Sequence, residues 1–213
     1  LNENIIIAMK DENDEKYALK IQRDILAQAL MNDSSANLLV SIVKGDYSVQ
    51  PKLVTEKKNI VILANNKESF TSKLAVHLVG KSSSHEIIVF GTENLKKYRN
   101  IEVEYWDSLN IHVAGASDIR YGSPVVNKFI SSYFNNYFNE PSKYAFSGFD
   151  ITLMLLKEVL KTKKYSHVNL VASYFMGGCR DYQFKYNGDK NGISNNAVNI
   201  FRLHDFKFVK VND

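Results

Sequence analysis

The sequence predicts an α/β fold built on a doubly wound, mostly parallel sheet. Three observations carry this. Short β-branched runs recur through the first half of the chain, stretches with apolar residues at helical spacing follow them, and beyond about Trp106 the rhythm changes to paired helices and alternating strands.

Ile5-Ile6-Ile7-Ala8-Met9 is short, rich in β-branched residues and followed at once by the polar cluster Lys10 to Lys16, which reads as a buried parallel strand ending in a loop. From Tyr17 the apolar residues Tyr17, Ile21, Ile25, Leu26, Ala29 and Leu30 recur at helical spacing until Asn32-Asp33-Ser34-Ser35 stops them. Residues 38–43 repeat the strand signal, and 49–57 read as a short helix that Pro51 can enter at its first turn. Asn59 to Ala64 is the next strand, followed by a helix over 69–79 closed by Gly80. Glu86 to Gly91 is the fourth strand, with a tight polar exit.

Beyond it, the strand Ile111 to Ala114 leads into helices over 124–138 and 149–163, joined by Asn139-Glu140-Pro141-Ser142. The tail alternates polar and apolar residues from Tyr182 to Tyr186, turns at Asn187-Gly188 or Asn191-Gly192, and resumes over 197–203 and 206–211, as antiparallel hairpins do.

Composition narrows the function classes. The 213 residues are 45% hydrophobic, enough for one good core or two small lobes sharing a hinge. The net charge of +4 comes from 27 basic and 23 acidic residues that are largely interspersed, which argues against a nucleic-acid groove; Lys57-Lys58 and Lys161 to Lys164 read as solvated helix ends. A single cysteine, Cys179, cannot form an intrachain disulfide or a thiolate metal site, and leaves the compartment open. No apolar run approaches the length of a bilayer span. The chain opens on Leu1 without a signal pattern or an initiator Met, so an upstream signal or domain is expected to have been removed.

The five histidines are isolated, with no paired metal-ligand spacing, so neither metal nor cofactor is expected. No phosphate loop, dinucleotide fingerprint or nucleophile elbow occurs, and Cys179 after Gly177-Gly178 lacks the local signatures of cysteine nucleophiles, so no catalytic residues are nominated. The two glycines read as freeing the backbone for a loop before Tyr182.

Ser123-Pro124 opening a helix with Phe129, Tyr133 and Tyr137, then Pro141, Ala145, Gly148-Phe149-Asp150 and a long apolar helix, resembles a stretch of the type I periplasmic binding proteins. The tail from Tyr182 resembles that family's return to its second lobe, and Asn4 to Asn13 is similar to the first strand and loop of that lobe. More narrowly, the chain resembles the binding-protein module of Bacteroidetes cell-envelope proteins that carry LysM repeats upstream, although no such repeat is visible. The resemblance implies lobe two from 1–108 and 199–213, and the later portion of lobe one from 109–198, with its first portion missing. Helix 149–163 would then expose Ile151, Leu155, Leu156, Val159 and Leu160, and a homodimer through that face is expected.

In open α/β sheets, ligands bind beyond the carboxyl ends of the strands. That nominates Lys10-Asp11, Asn65-Asn66 and Glu93 as ligand-binding residues, with Tyr121 from the other lobe, near Asp118 and Arg120. Glu93 sits where amino-acid-binding members of the family carry a carboxylate for a ligand ammonium, though a carboxylate also suits the first turn of a helix. Asn66 stands where those members carry an aromatic, and Asp150 where they cap or brace the following helix.

The resemblance implies a non-catalytic, extracytoplasmic module that binds or senses a small molecule, amino-acid-like or derived from the cell wall. A second reading is a pocketless interaction module touching peptidoglycan or an envelope protein. A third, a nucleotide-binding Rossmann-like enzyme, is opposed by the acidic cluster Asp11-Glu12-Asp14-Glu15, which repels phosphate.

Overall fold

A computed structural model describes residues 3–32, 38–116, 118–162, 170–171, 173–186, 192–205 and 207–211. The chain divides into two compact units, one of residues 1–114 and 200–213 and the other of residues 115–199.

The first unit is a seven-stranded sheet in the order β2-β1-β3-β4-β5-β9-β10, the five strands from β2 to β5 being parallel. All six residues of β1 (Asn4–Met9) are buried, which is why its sequence is an unbroken apolar run rather than an alternation. β2 (Leu39–Lys44) and β3 (Asn59–Leu63) flank it, β4 (Ile87–Thr92) pairs with β3, and β5 (His112–Gly115) pairs with β4. The long β9 (Asn199–His204) lies beside β5, with the Leu203 N–H donating to the Ile111 carbonyl at 3.3 Å, and carries the antiparallel β10 (Lys207–Lys210).

α1 (Glu15–Asn32) buries Ala18 and Ala29 and half-buries Ile21 and Ile25, a stripe at spacings of three and four; Tyr17, Leu26 and Leu30 of the expected face are exposed. α2 (Glu68–Ser82) buries Phe70, Leu74, Ala75 and Leu78, and α3 (Val103–Ser108) buries Trp106, all within one core. At the amino edge of the sheet, fully buried Asn59 is a hub. Its amide nitrogen donates to the carbonyls of Val54, Lys57 and Glu86 at 3.0, 2.9 and 3.1 Å, and its oxygen accepts from Asn4 and the Val54 N–H at 2.9 and 2.8 Å.

The second unit contains α4 (Pro124–Tyr137), α5 (Lys143–Thr162) and a three-stranded antiparallel sheet of β6 (Tyr174–Met176), β7 (Asp181–Tyr186) and β8 (Ile193–Asn195). Ser123 caps α4, its hydroxyl accepting from the Val126 N–H at 3.3 Å with Pro124 in the first turn; left-handed Phe138 (φ 50°) closes it. One core gathers Val126, Phe146 and Cys179, and another Met154, Leu170 and Tyr182.

Several expectations are corrected. Residues 47–52 form a 3-10 turn with Pro51 near its end, since a residue without an N–H can finish so short a turn but its ring obstructs a longer helix. α2 runs past Gly80 to Ser82, and β4 runs past Gly91 to Thr92. α5 begins at Lys143 rather than Phe149 and passes through Gly148. The strand expected over Ile111–Ala114 is His112–Gly115 and pairs with β4, and the two compact units divide between Ala114 and Gly115. A short strand, β8, precedes β9. The turns expected at Asn187-Gly188 and at Asn191, together with Lys163, Lys164 and His167, lie outside the described residues.

Candidate functional site

The order β2-β1-β3-β4-β5 reverses direction at β1 and β3, because β1 is followed by its neighbour on one side and the chain then continues on the other. A crevice opens at the carboxyl ends of strands at such a point. Side chains from three successive loops are tied together there. After β1, the Asp14 carboxylate accepts from the Lys10 N–H at 2.9 Å and from the side-chain amide of Asn65, which follows β3, at 2.7 Å. The Asn65 oxygen accepts from the Lys67 N–H at 2.7 Å. After β4, the Thr92 hydroxyl donates to the Asn66 side-chain oxygen at 2.7 Å, and the Tyr98 hydroxyl donates to the Asn66 carbonyl. Each strand end thus reaches the next through a polar side chain, giving one continuous rim.

Five of the six nominated residues, Lys10, Asp11, Asn65, Asn66 and Glu93, stand on that rim. Asn65 is buried, Lys10, Asp11 and Glu93 are half-buried and Asn66 is exposed. Asp11 begins a 3-10 turn, its carboxylate accepting from the Asn13 N–H at 3.0 Å and the Asn13 amide at 2.9 Å; these bonds, with Lys10 and Lys67 nearby, hold its pKa below the usual value. Glu12 turns outward to Lys44 at 2.9 Å, which lowers its pKa and raises that of the lysine. Glu93 opens a 3-10 turn over 93–97 and has a partner within the chain.

Beside the rim, where β1 and β2 end against α2, a cavity of about 250 Å³ is lined by Lys10, Gly45, Asp46, Ser69, Phe70 and Lys73. The loop after β2 that supplies Gly45 and Asp46 was missed in the sequence, although the same strand-end rule that nominated the other three loops applies to it. A larger groove of about 600 Å³ lies at the opposite, amino edge beside the end of α1 and is mostly apolar, lined by Ile5, Ile21, Ile25 and Leu38.

Tyr121 belongs to the second unit, where its side chain is 72% exposed. Arg120 is spent on structure: its guanidinium donates to the Gly177 carbonyl and pairs with buried Asp181 at 2.6 Å. Asp150 is not a cap. Eight residues into α5 and fully buried, its carboxylate accepts from the backbone N–H groups of Gly178, Cys179 and Arg180 at 2.6, 2.8 and 3.1 Å. A Cβ on Gly177 would come within 2.5 Å of that carboxylate and of the Arg180 carbonyl, so the glycine provides close approach. Burial, then the Asp150 carboxylate, pushes the Cys179 thiol up to about 11, which suits packing and opposes nucleophilic use. Among the described residues no three His, Cys, Asp or Glu side chains converge in a way that could hold a metal ion, and no helix is long and apolar enough to cross a membrane.

No family model and no curated protein sequence matches the chain. Solved structures do. The chain is similar to an ABC transporter substrate-binding protein from Desulfitobacterium hafniense in complex with Leu, at 13% identity and a TM-score of 0.53, over 99% of this chain and 60% of that one. A second structure from the same organism gives 14% and 0.56 over 99% and 60%. A Rhodospirillum rubrum protein, described as a branched-chain amino acid ABC transporter, gives 12% and 0.55 over 98% and 60%. Identity this low speaks to fold alone, which is the mostly parallel α/β fold of these substrate-binding proteins, and the chain spans 60% of the length of these structures.

Proposed function

We propose that this chain is a non-catalytic, extracytoplasmic binding or sensing module, and that the carboxyl edge of its parallel sheet receives a small amino compound. The observation that carries the reading is the continuous polar rim, on which Lys10, Asp11, Asn65, Asn66 and Glu93 gather from three loops. Glu93 supplies the carboxylate for a ligand ammonium, and the likeness in fold to substrate-binding proteins, one of them in complex with Leu, supports the assignment. The chemistry is recognition alone, in which a ligand shifts the population of the form that binds it.

A second reading is favoured by one feature of the same rim: the side chains of Asn65, Asn66, Asp11 and Asp14 are all engaged with other groups of the chain. A rim satisfied internally suits a module that keeps the fold but touches a cell-envelope partner, peptidoglycan or protein, instead of a small ligand. Thermal-shift measurements with amino acids, short peptides, muropeptides and nucleotides separate the readings. Stabilisation by an amino compound, lost in Glu93→Gln, supports the first. A chain that responds to none of them, or to muropeptides alone, follows the second, and stabilisation by nucleotides contradicts both.

A further inference from the structure

The polar groups at this edge fall into two classes. Along the β1-β3-β4 rim they are bonded to one another. In the cavity on the β2 side they are not: among the described residues, the side chains of Asp46, Ser69 and Lys73 make no hydrogen bond or ion pair, and Lys10 reaches only Asp11, at 3.7 Å. These groups surround a space of about 250 Å³ whose floor includes the buried ring of Phe70. Unlike those of the rim, the residues that line the cavity carry two ammonium groups, one hydroxyl and one carboxylate whose only internal bond is the long Lys10–Asp11 pair.

The mixture of charges selects the ligand chemistry. Lys10, Lys73 and the Ser69 hydroxyl are donors suited to a carboxylate, while Asp46 is an acceptor that needs an N–H beside it. A carboxylate next to an amide N–H, as at the carboxyl end of a peptide, satisfies all four. A fully ionised phosphate ester brings Asp46 no donor, and the negative charge of any phosphate is repelled by it.

Distance then fixes the ligand's length. Glu93 follows β4 and Lys10 follows β1, with β3 between them, so the strand ends that carry the two residues lie two strand spacings, about 10 Å, apart. An extended chain covers about 10 Å in three residues. We infer that the ligand is an elongated peptide of roughly three residues, with its amino group at Glu93 and its terminal carboxylate seated among Lys10, Ser69 and Lys73, its last amide N–H donating to Asp46. This rests on the reading of Glu93 given above and extends it from a single amino acid to a short peptide.

Calorimetric titration of the intact chain with trialanine, its C-terminal amide, its N-acetyl form and free leucine tests the inference. Trialanine is expected to bind, and the amide to bind about tenfold more weakly because the charge-assisted bonds to the lysines are lost. Lys73→Ala, an exposed position on α2, is expected to weaken trialanine by a similar factor and to leave the amide unchanged, which a nonspecific loss of folding would not do. Equal affinity for acid and amide, or a Lys73→Ala chain that binds trialanine normally, overturns the peptide assignment. If leucine binds in a Glu93-dependent way and Lys73→Ala has no effect, only this inference falls. If no amino compound binds, the reading of Glu93 falls with it.

Discussion

Buried carboxylates are retained only where donors surround them, and Asp150 shows how much one residue can organise. Its three backbone hydrogen bonds hold the Gly177-Gly178-Cys179-Arg180 loop against α5. Asp150→Ala leaves two buried N–H groups and one part-buried one without this partner, a cost of about 3 kcal/mol. The chain's single cysteine lies in that loop and serves as the probe: Cys179 in the variant should react with a thiol reagent on the order of a hundredfold faster than in the parent, since each 1.4 kcal/mol is about tenfold. In the parent, labelling at pH 8 should be slow. Folding raises the thiol from 9.0 to about 11, so its neutral form contributes fully below pH 9 and the contribution is lost as pH climbs toward 11. Urea midpoints measured across that window should fall, and a midpoint that stays level contradicts the burial argument.

Elements differ in how far their sequences announce them. β1 was legible because a strand buried on both faces becomes a continuous apolar run, β3 because its run stays apolar although one face is only half-buried, and α1 because its inner residues keep helical spacing. The start of α5 was not legible. Gly148 looks like a break, yet apart from its chain neighbours and the backbone of its own helix nothing lies within 4 Å of where its Cβ would be, and the helix passes through at a cost of about 1 kcal/mol. The loop anchor at Asp150 depends on residues about 30 positions away, which no local pattern reports. The amino-edge hub at Asn59 is of the same kind. Asn59→Leu keeps the branched shape at a larger volume but leaves the Val54 N–H and the Lys57 carbonyl without the partner Asn59 gives them and takes one bond each from the Asn4 amide and the Val54 and Glu86 carbonyls, so the first unit should lose about 3 kcal/mol. Trp106, the chain's only tryptophan and buried in that unit's core, reports the loss by fluorescence; an unchanged urea midpoint would show the hub to be dispensable.

For the whole molecule, the succession of strands and helices along the chain was the most legible feature and the placement of β5 in the sheet the least, because a four-residue strand carries little pattern of its own and is fixed by pairing with β4. The candidate site was legible by rule rather than by motif: strand ends nominate loops, and five of the six nominated residues share one edge, while the loop after β2 was passed over. The outward face of α5 exposes Ile151, Leu156 and Leu160 to 43, 54 and 79%. If that face joins copies of the chain, sedimentation should show association that rises with concentration and is lost in Leu160→Glu; a monomer at every concentration excludes it.

The central claim, that the carboxyl edge of the first unit receives an amino compound, is tested most directly by mapping amide chemical shifts while leucine and trialanine are titrated into the labelled chain. The predicted result is a saturable set of shifts at Lys10, Asn65, Asn66 and Glu93 that disappears in Glu93→Gln. Shifts confined to residues 115–199, or no response to either ligand, would contradict it.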